Sequence, residues 1–188
     1  MREVVLMPIC FDLIQNVFEA ALTEFLRREE ASLAGGVSER NSCGRFAIYM
    51  QQIANESGLD NYFADTEYNR KQGNQIKTIL DGDMKEITIT SDLILHSRGE
   101  NIAEDNLIAV EMKKSERSDA EKDADRDRLR AMTKSGYDGV WTNDGTTHPE
   151  HVCGYRLGIY IEVNKDDRTA LIEHYIQGER VKSAIKSY

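Results

Sequence analysis

Residues 91 to 113, SDLILHSRGENIAEDNLIAVEMK, constrain the fold of this chain more than any other stretch. Two apolar runs, Leu93-Ile94-Leu95 and Leu107-Ile108-Ala109-Val110, read as neighbouring strands. The polar, Gly-containing SRGENIAED between them reads as a hairpin loop. Each strand carries charge where a core strand should not. Asp92 opens the first; Glu111 and Lys113 close the second. Residues two apart on a strand share a face, so Glu111 and Lys113 point the same way and Met112 points to the other. If the strands pair, Asp92 meets them there, and two carboxylates and a lysine converge at one end of a small sheet.

That trio suits metal-assisted phosphodiester hydrolysis. Mg²⁺ is a hard ion that takes carboxylates, water and substrate phosphate. A metal lowers the pKa of bound water and neutralises charge on the phosphate, and a lysine beside it can position the water or stabilise the transition state. From spacing alone, an edge hairpin with a solvated Glu/Lys pair stands beside this reading, because ExK after an apolar run is common.

An Asp at the head of one strand followed by an apolar strand ending in ExK resembles the PD-(D/E)xK nuclease superfamily, the restriction-endonuclease-like fold. DTEYNR (65–70), SDLILHSRG (91–99) and NLIAVEMKK (106–114), with the charged helix after them, resemble small bacterial members of that superfamily. The likeness covers about residues 38 to 163. Ser91 stands where the motif's name has proline, a residue that shapes the turn and binds no metal. The resemblance implies Asp92 and Glu111 as ligands of Mg²⁺, with Mn²⁺ as a substitute, and Lys113 as the residue that orients or activates water. It also implies a further metal-facing acid, Glu39, on the helix before the sheet.

Length and composition bound the rest. The 188 residues suffice for one domain with a core, divided here into an N-terminal helix and linker (1–36) and a nuclease-like domain (37–188). No apolar run reaches the roughly 18–20 residues of a membrane span, and MREVVLMPICFDLIQ does not read as a signal peptide. Cys10, Cys43 and Cys153 are odd in number and lack CxxC spacing, which points to a reducing, cytoplasmic setting. The net charge of −9 argues against a strong non-specific DNA binder. Any affinity for nucleic acid should then be local, metal-dependent or supplied by a partner.

In chain order, residues 9–30 read as a helix, with Pro8 in its first turn and a stripe of Phe11, Ile14, Phe18, Ala21 and Phe25 widened by Val17, Leu22 and Leu26. ASLAGG (31–36) reads as a linker. Ser38 caps a second helix over 39–56, whose stripe of Cys43, Phe46, Met50 and Ile53 extends back to Glu39. A carboxylate there needs a partner, unless it is simply an exposed first-turn acid. NYFADTEYNR (61–70) reads as the first strand, with Phe63, Asp65 and Glu67 on one face. Glu67 is a site acid or a partner of Arg70 or Arg98, with a structural or substrate-contacting role favoured. Residues 71–85 read as a surface loop with a short element near Ile76–Leu80. His96, at a strand end, reads as a packing residue before a proton shuttle.

Residues 116–135 form a charged helix with a thin apolar face of Ala120, Ala124, Leu129, Ala131 and Met132. It reads as a solvated crossover between parallel strands, with Arg126 or Arg130 as an alternative holder of phosphate. The loop 136–151 carries Trp141, a residue that can stack on a base; His148, His151 and Cys153 lack the further ligands a zinc site needs. VCGYRLGIYIEV (152–163) is a strand, Asn164–Asp167 a turn, and 169 to about 176 a final strand before a basic tail that ends in a short helix or frays. The expectation is an α/β, restriction-endonuclease-like sandwich with a mixed sheet flanked by helices. The expected function is a Mg²⁺-dependent nuclease acting on nucleic acid, DNA favoured, as a possible homodimer or part of a larger complex. A non-catalytic module of the same fold, binding nucleic acid or protein, is the alternative.

Overall fold

The structure is a computed structural model that describes residues 8–68, 78–80, 86–88, 90–137, 141–142 and 153–188. The apolar hairpin of the sequence forms its centre. Strand β4 (Ser91–His96) pairs antiparallel with β5 (Asn106–Lys114), in the register Leu93 to Val110. Strand β1 (Phe63–Tyr68) pairs antiparallel with the outer side of β4. On its other side β5 runs parallel to β8 (Leu157–Asn164), which continues antiparallel into β9 (Thr169–Ile176) and β10 (Glu179–Ser187). The sheet order is β1-β4-β5-β8-β9-β10. Small two-stranded sheets join β2 (Thr78–Leu80) to β3 (Glu86–Thr88) and β6 (Gly136–Tyr137) to β7 (Trp141–Thr142).

Helices cover both faces, giving a six-stranded mixed α/β sandwich. Helix α1 (Phe11–Ala34) and helix α2 (Glu39–Glu56) share one core with Leu93, Leu95, Ile108, Val110, Met112, Ile159, Ile161 and Ile172. Phe18, Phe25 and Phe46 meet ring to ring between the helices, and buried Glu29 accepts from Tyr49 Oη at 2.6 Å and Arg45 Nε at 2.9 Å. The stripe of α1 thus covers the sheet as expected. The helix starts after a Cys10 N-cap, so Pro8 lies outside it, and it runs on through Ala34, taking in most of the expected linker. Helix α2 has the expected bounds, with Ser38 Oγ accepting from Asn41 N.

Helix α3 (Asp119–Thr133) covers the opposite face and forms the crossover between the parallel strands β5 and β8. A capping box, Ser118 with Glu121, starts it. Its buried side chains include Lys122, Asp125, Leu129 and Met132, spaced three and four apart. The sequence reading of a solvated helix is therefore corrected: two of the charges on its inner stripe are buried. Leu129, Ala131 and Met132 pack with Ile94, Ala109, Tyr160 and Tyr175. Tyr155, which the sequence reading includes in the strand 152–163, belongs to this second core and precedes the strand.

The tail is also corrected. It neither coils into a helix nor frays, but forms β10 and pairs along β9 with one irregularity between Arg180 and Lys182. Gln177 (φ 52°) and Gly178 (φ 85°) both take left-handed backbone, as a two-residue hairpin turn requires. Among the described residues no helix is long and apolar enough to cross a membrane.

Gly158 sets how closely α3 approaches the sheet. A Cβ there would lie 2.8 Å from Thr133 Cγ2 and 3.2 Å from Tyr175 Cβ. Gly158→Ala should cost about 1–3 kcal/mol by overpacking, and Gly158→Val more. Thermal or urea unfolding measures this; an unchanged midpoint for Gly158→Val would mean that the helix is not held at this distance.

Candidate metal centre

Strand β5 is third of six in the sheet, so its end is covered from both sides. The alternation of its residues sends Met112 and Lys114 toward α1 and α2, and Ala109, Glu111 and Lys113 toward α3. Asp92 lies one position beyond the Leu93–Val110 pair and accepts the Met112 N–H through Oδ2 at 2.8 Å. This bond ties the Asp92 carboxylate to the end of β5. The strand-end convergence expected from the sequence is present, with a third acid added. Asp92, Glu111 and Asp125 of α3 each offer a carboxylate oxygen, and these oxygens all lie within 4.8 Å of one another.

Two cations face them. Lys113 Nζ lies 2.7 Å from Asp125 Oδ2. Arg128, one helical turn after Asp125, donates to Asp125 Oδ1 at 3.0 Å and sits 2.9 Å from Glu111 Oε1. The Lys113–Asp125 and Arg128–Glu111 contacts are ion pairs, and Asp125 Oδ2 and both Glu111 oxygens are buried without a hydrogen bond of good geometry among the described residues. Glu111 is fully buried, its ion pair with Arg128 is closest at Oε1, and its Oε2 has no hydrogen bond among the described residues. A buried carboxylate oxygen without a partner is costly. With all groups ionised, three acids against two bases leave one negative charge.

The titration behaviour follows. Burial pushes the Glu111 carboxyl well above the ordinary carboxylate range, and the Asp92 charge adds to it; Arg128 opposes them without prevailing. Burial also raises Asp92, although the Met112 N–H and Lys113 pull the other way. Burial works against the charge on Lys113, but the Asp125 carboxylate, with Asp92 and Glu111 behind it, outweighs that and holds the ammonium above its usual value. Arg128 is raised likewise by Glu111, Asp125 and Asp92 against its own burial. The centre thus draws positive charge, as a proton or as a cation.

Glu39 is not part of this cluster. Helix α2 lies on the other side of the sheet, and there Glu39 Oε1 accepts from Lys114 N at 3.1 Å and from Arg117 Nε at 3.0 Å. The expected metal-facing role is replaced by a clamp on the end of β5. Glu67 has a left-handed backbone (φ 50°), which breaks the strand alternation, and it pairs with Arg40 at 2.6 Å, a partner outside the expected Arg70 and Arg98. Arg98 grips Asp65 with two bonds of 2.8 and 2.6 Å and lies over Phe63. His96 is buried with Nε2 3.0 Å from the same Asp65, at the end of β4 away from Asp92.

Arg126 donates to Glu173 at 2.8 Å and lies 4.3 Å from the Tyr160 ring centroid; Arg130 pairs with Asp127 at 2.8 Å. Both have partners within the protein, and no contact here bears on the alternative of a hold on phosphate. Arg70, His148, His151 and the side chain of Trp141 lie outside the described residues. Asp125 is the residue that sequence reasoning missed. Stepping back four residues from Leu129 on the inner stripe reaches it, a signal present in the chain. Comparison with protein-family models, with curated proteins and with solved structures gives no match.

The sign of the linkage gives a test. The folded protein retains protons on Glu111 and Asp92 that the unfolded chain releases just above the ordinary carboxylate range. The stability they contribute is full below the unfolded pKa and is lost as pH rises through the raised folded values. Glu111→Gln should therefore raise the melting temperature of the metal-free protein at neutral pH, on a scale of about 2–4 °C per kcal/mol. The gain should vanish near pH 4. A variant melting below the wild type at pH 7.5 would contradict the direction.

Proposed function

We propose that this chain is a metal-dependent nuclease of the restriction-endonuclease-like fold, a DNA endonuclease in the first instance. The observation that carries the reading is the fully buried Oε2 of Glu111, without a hydrogen bond among the described residues, with Asp92 and Asp125 oxygens beside it and Lys113 at the edge. The donor set supports a hard divalent cation: three carboxylates, with no thiol or imidazole joining them among the described residues. Asp92, Glu111 and Asp125 would hold Mg²⁺ or Mn²⁺. Such an ion, when bound, makes water a stronger nucleophile and offsets charge on a phosphodiester.

The remaining work falls to the protein. Asp92 is fixed by the Met112 N–H, and Glu111 by its position in the central strand. Lys113, with 16% of its side chain exposed, has the reach and the charge to hold an attacking water or a non-bridging phosphate oxygen. Arg128 keeps two of the acids from repelling one another. The net charge of −9 fits a protein whose hold on a polyanion is confined to this locus.

A panel of closed plasmid, linear duplex, single-stranded DNA and RNA tests the reading with Mg²⁺, Mn²⁺ or EDTA, the wild type beside Asp92→Ala and Lys113→Ala. The expected result is plasmid nicking that needs metal, disappears in Asp92→Ala, and falls on the order of 10²-fold or more in Lys113→Ala while its circular dichroism is unchanged. Cutting in EDTA, or cutting by both variants at the wild-type rate, would overturn the mechanism.

A further inference from the structure

Asp125 belongs to two arrangements at once. It is the third acid of the cluster, and it is also the partner of Lys113. Its oxygens are divided: Oδ1 accepts from Arg128 at 3.0 Å, and Oδ2 faces the Lys113 ammonium at 2.7 Å. A divalent cation entering beside Glu111 Oε2 would sit close to that ammonium in a site of low dielectric, where like charges repel strongly. It would also turn the local charge from −1 to +1. One cation has to give way. Arg128 is the poorer candidate, because one of its nitrogens, Nη1, spans Glu111 and Asp125 together. Lys113 has one ion pair among the described residues and a flexible four-carbon stem.

The geometry points to a cation exchange on Asp125. Without metal, the Asp125 carboxylate parks the Lys113 ammonium. A divalent ion takes the Asp125 oxygen as its third protein ligand and displaces that ammonium toward the substrate side. Asp125 is thus a ligand and, through Lys113, a positioning residue. This rests on the reading of Asp92 and Glu111 as a metal site. The cluster alone does not carry it; the second observation is Glu111 Oε2, fully buried and without a hydrogen bond among the described residues.

The exchange makes Lys113 a competitor of the metal, which binding measurements read without any catalytic assay. Calorimetric titration of the full chain with Mn²⁺ and with Mg²⁺ compares wild type, Asp125→Asn, Lys113→Met and the double variant, each checked by circular dichroism. Asp125→Asn should bind roughly tenfold or more weakly, in the range seen for loss of groups that support metal ligands. Lys113→Met should bind several-fold more tightly, and that gain should shrink in the Asp125→Asn background, because the competition runs through Asp125. A merely structural Asp125 would weaken binding without altering the effect of Lys113→Met. Wild-type affinity in Asp125→Asn, or an undiminished Lys113→Met gain in the double variant, would overturn the exchange and leave the metal site standing. A wild type that binds neither ion would overturn both. Should Asp125→Asn not fold, Lys113→Met decides by itself: tighter binding supports the exchange, and unchanged or weaker binding overturns it.

Discussion

The structure depends on a carboxylate that the core of a protein should not contain. Glu111 stands in the central strand, after four apolar residues, with neighbours on both sides of the sheet and a helix above it. Burying such a group is expensive without strong pairing. The surroundings offset the cost only in part. Arg128 comes from α3, Lys113 from the next position on the same face, and the Met112 N–H holds the neighbouring acid. The elements that supply these groups are those that define the fold: the β4–β5 hairpin, the crossover helix, and the parallel partner β8 that the crossover makes possible. Replacing a buried ion cluster with apolar side chains of similar volume is often neutral or stabilising, so a gain in stability does not account for this one.

Much of this was legible in the sequence. Two apolar runs and the period of two put Asp92 and Glu111 on one face if the strands pair, and the strands do pair. Helix α2 followed from Ser38 and a clean apolar stripe. Asp125 was hidden because α3 is charged on every side and only five of its residues are apolar; with so weak a stripe, the inner face shows only in the spacing back from Leu129. Tertiary pairing, with Lys113 and Arg128, is what makes a buried Asp125 tolerable. Strand β10 was hidden for a related reason. Its alternation of Val181, Ser183 and Ile185 with Lys182, Ala184 and Lys186 is that of a strand, but both faces are largely exposed, so the contrast that marks a half-buried strand is faint.

Glu39 shows the opposite failing. The sequence placed it on the inner stripe of α2 and gave it the need for a partner; it is half-buried, and it has that partner. What a single chain cannot supply is the side of the sheet on which a helix lies. The partner is a backbone N–H and an arginine on the α2 side of β5, and the acids face α3. Arg126 and Arg130 have the same lesson: their charges face Glu173, Asp127 and two tyrosine rings.

The Glu39 contact has a mechanical meaning for the residue next to it. Glu39 grips the main chain of Lys114, Lys114 Nζ is bonded to the Gly36 carbonyl, and Ser115 N is bonded to the Val163 carbonyl. The main chain on the far side of Lys113 is therefore pinned to a helix, a loop and a neighbouring strand, while Met112 N on the near side is pinned to Asp92. Lys113 stands on a stretch of backbone with almost no play. Whatever travel its ammonium makes is produced by four side-chain torsions swinging from a fixed post, an arm of about 6 Å.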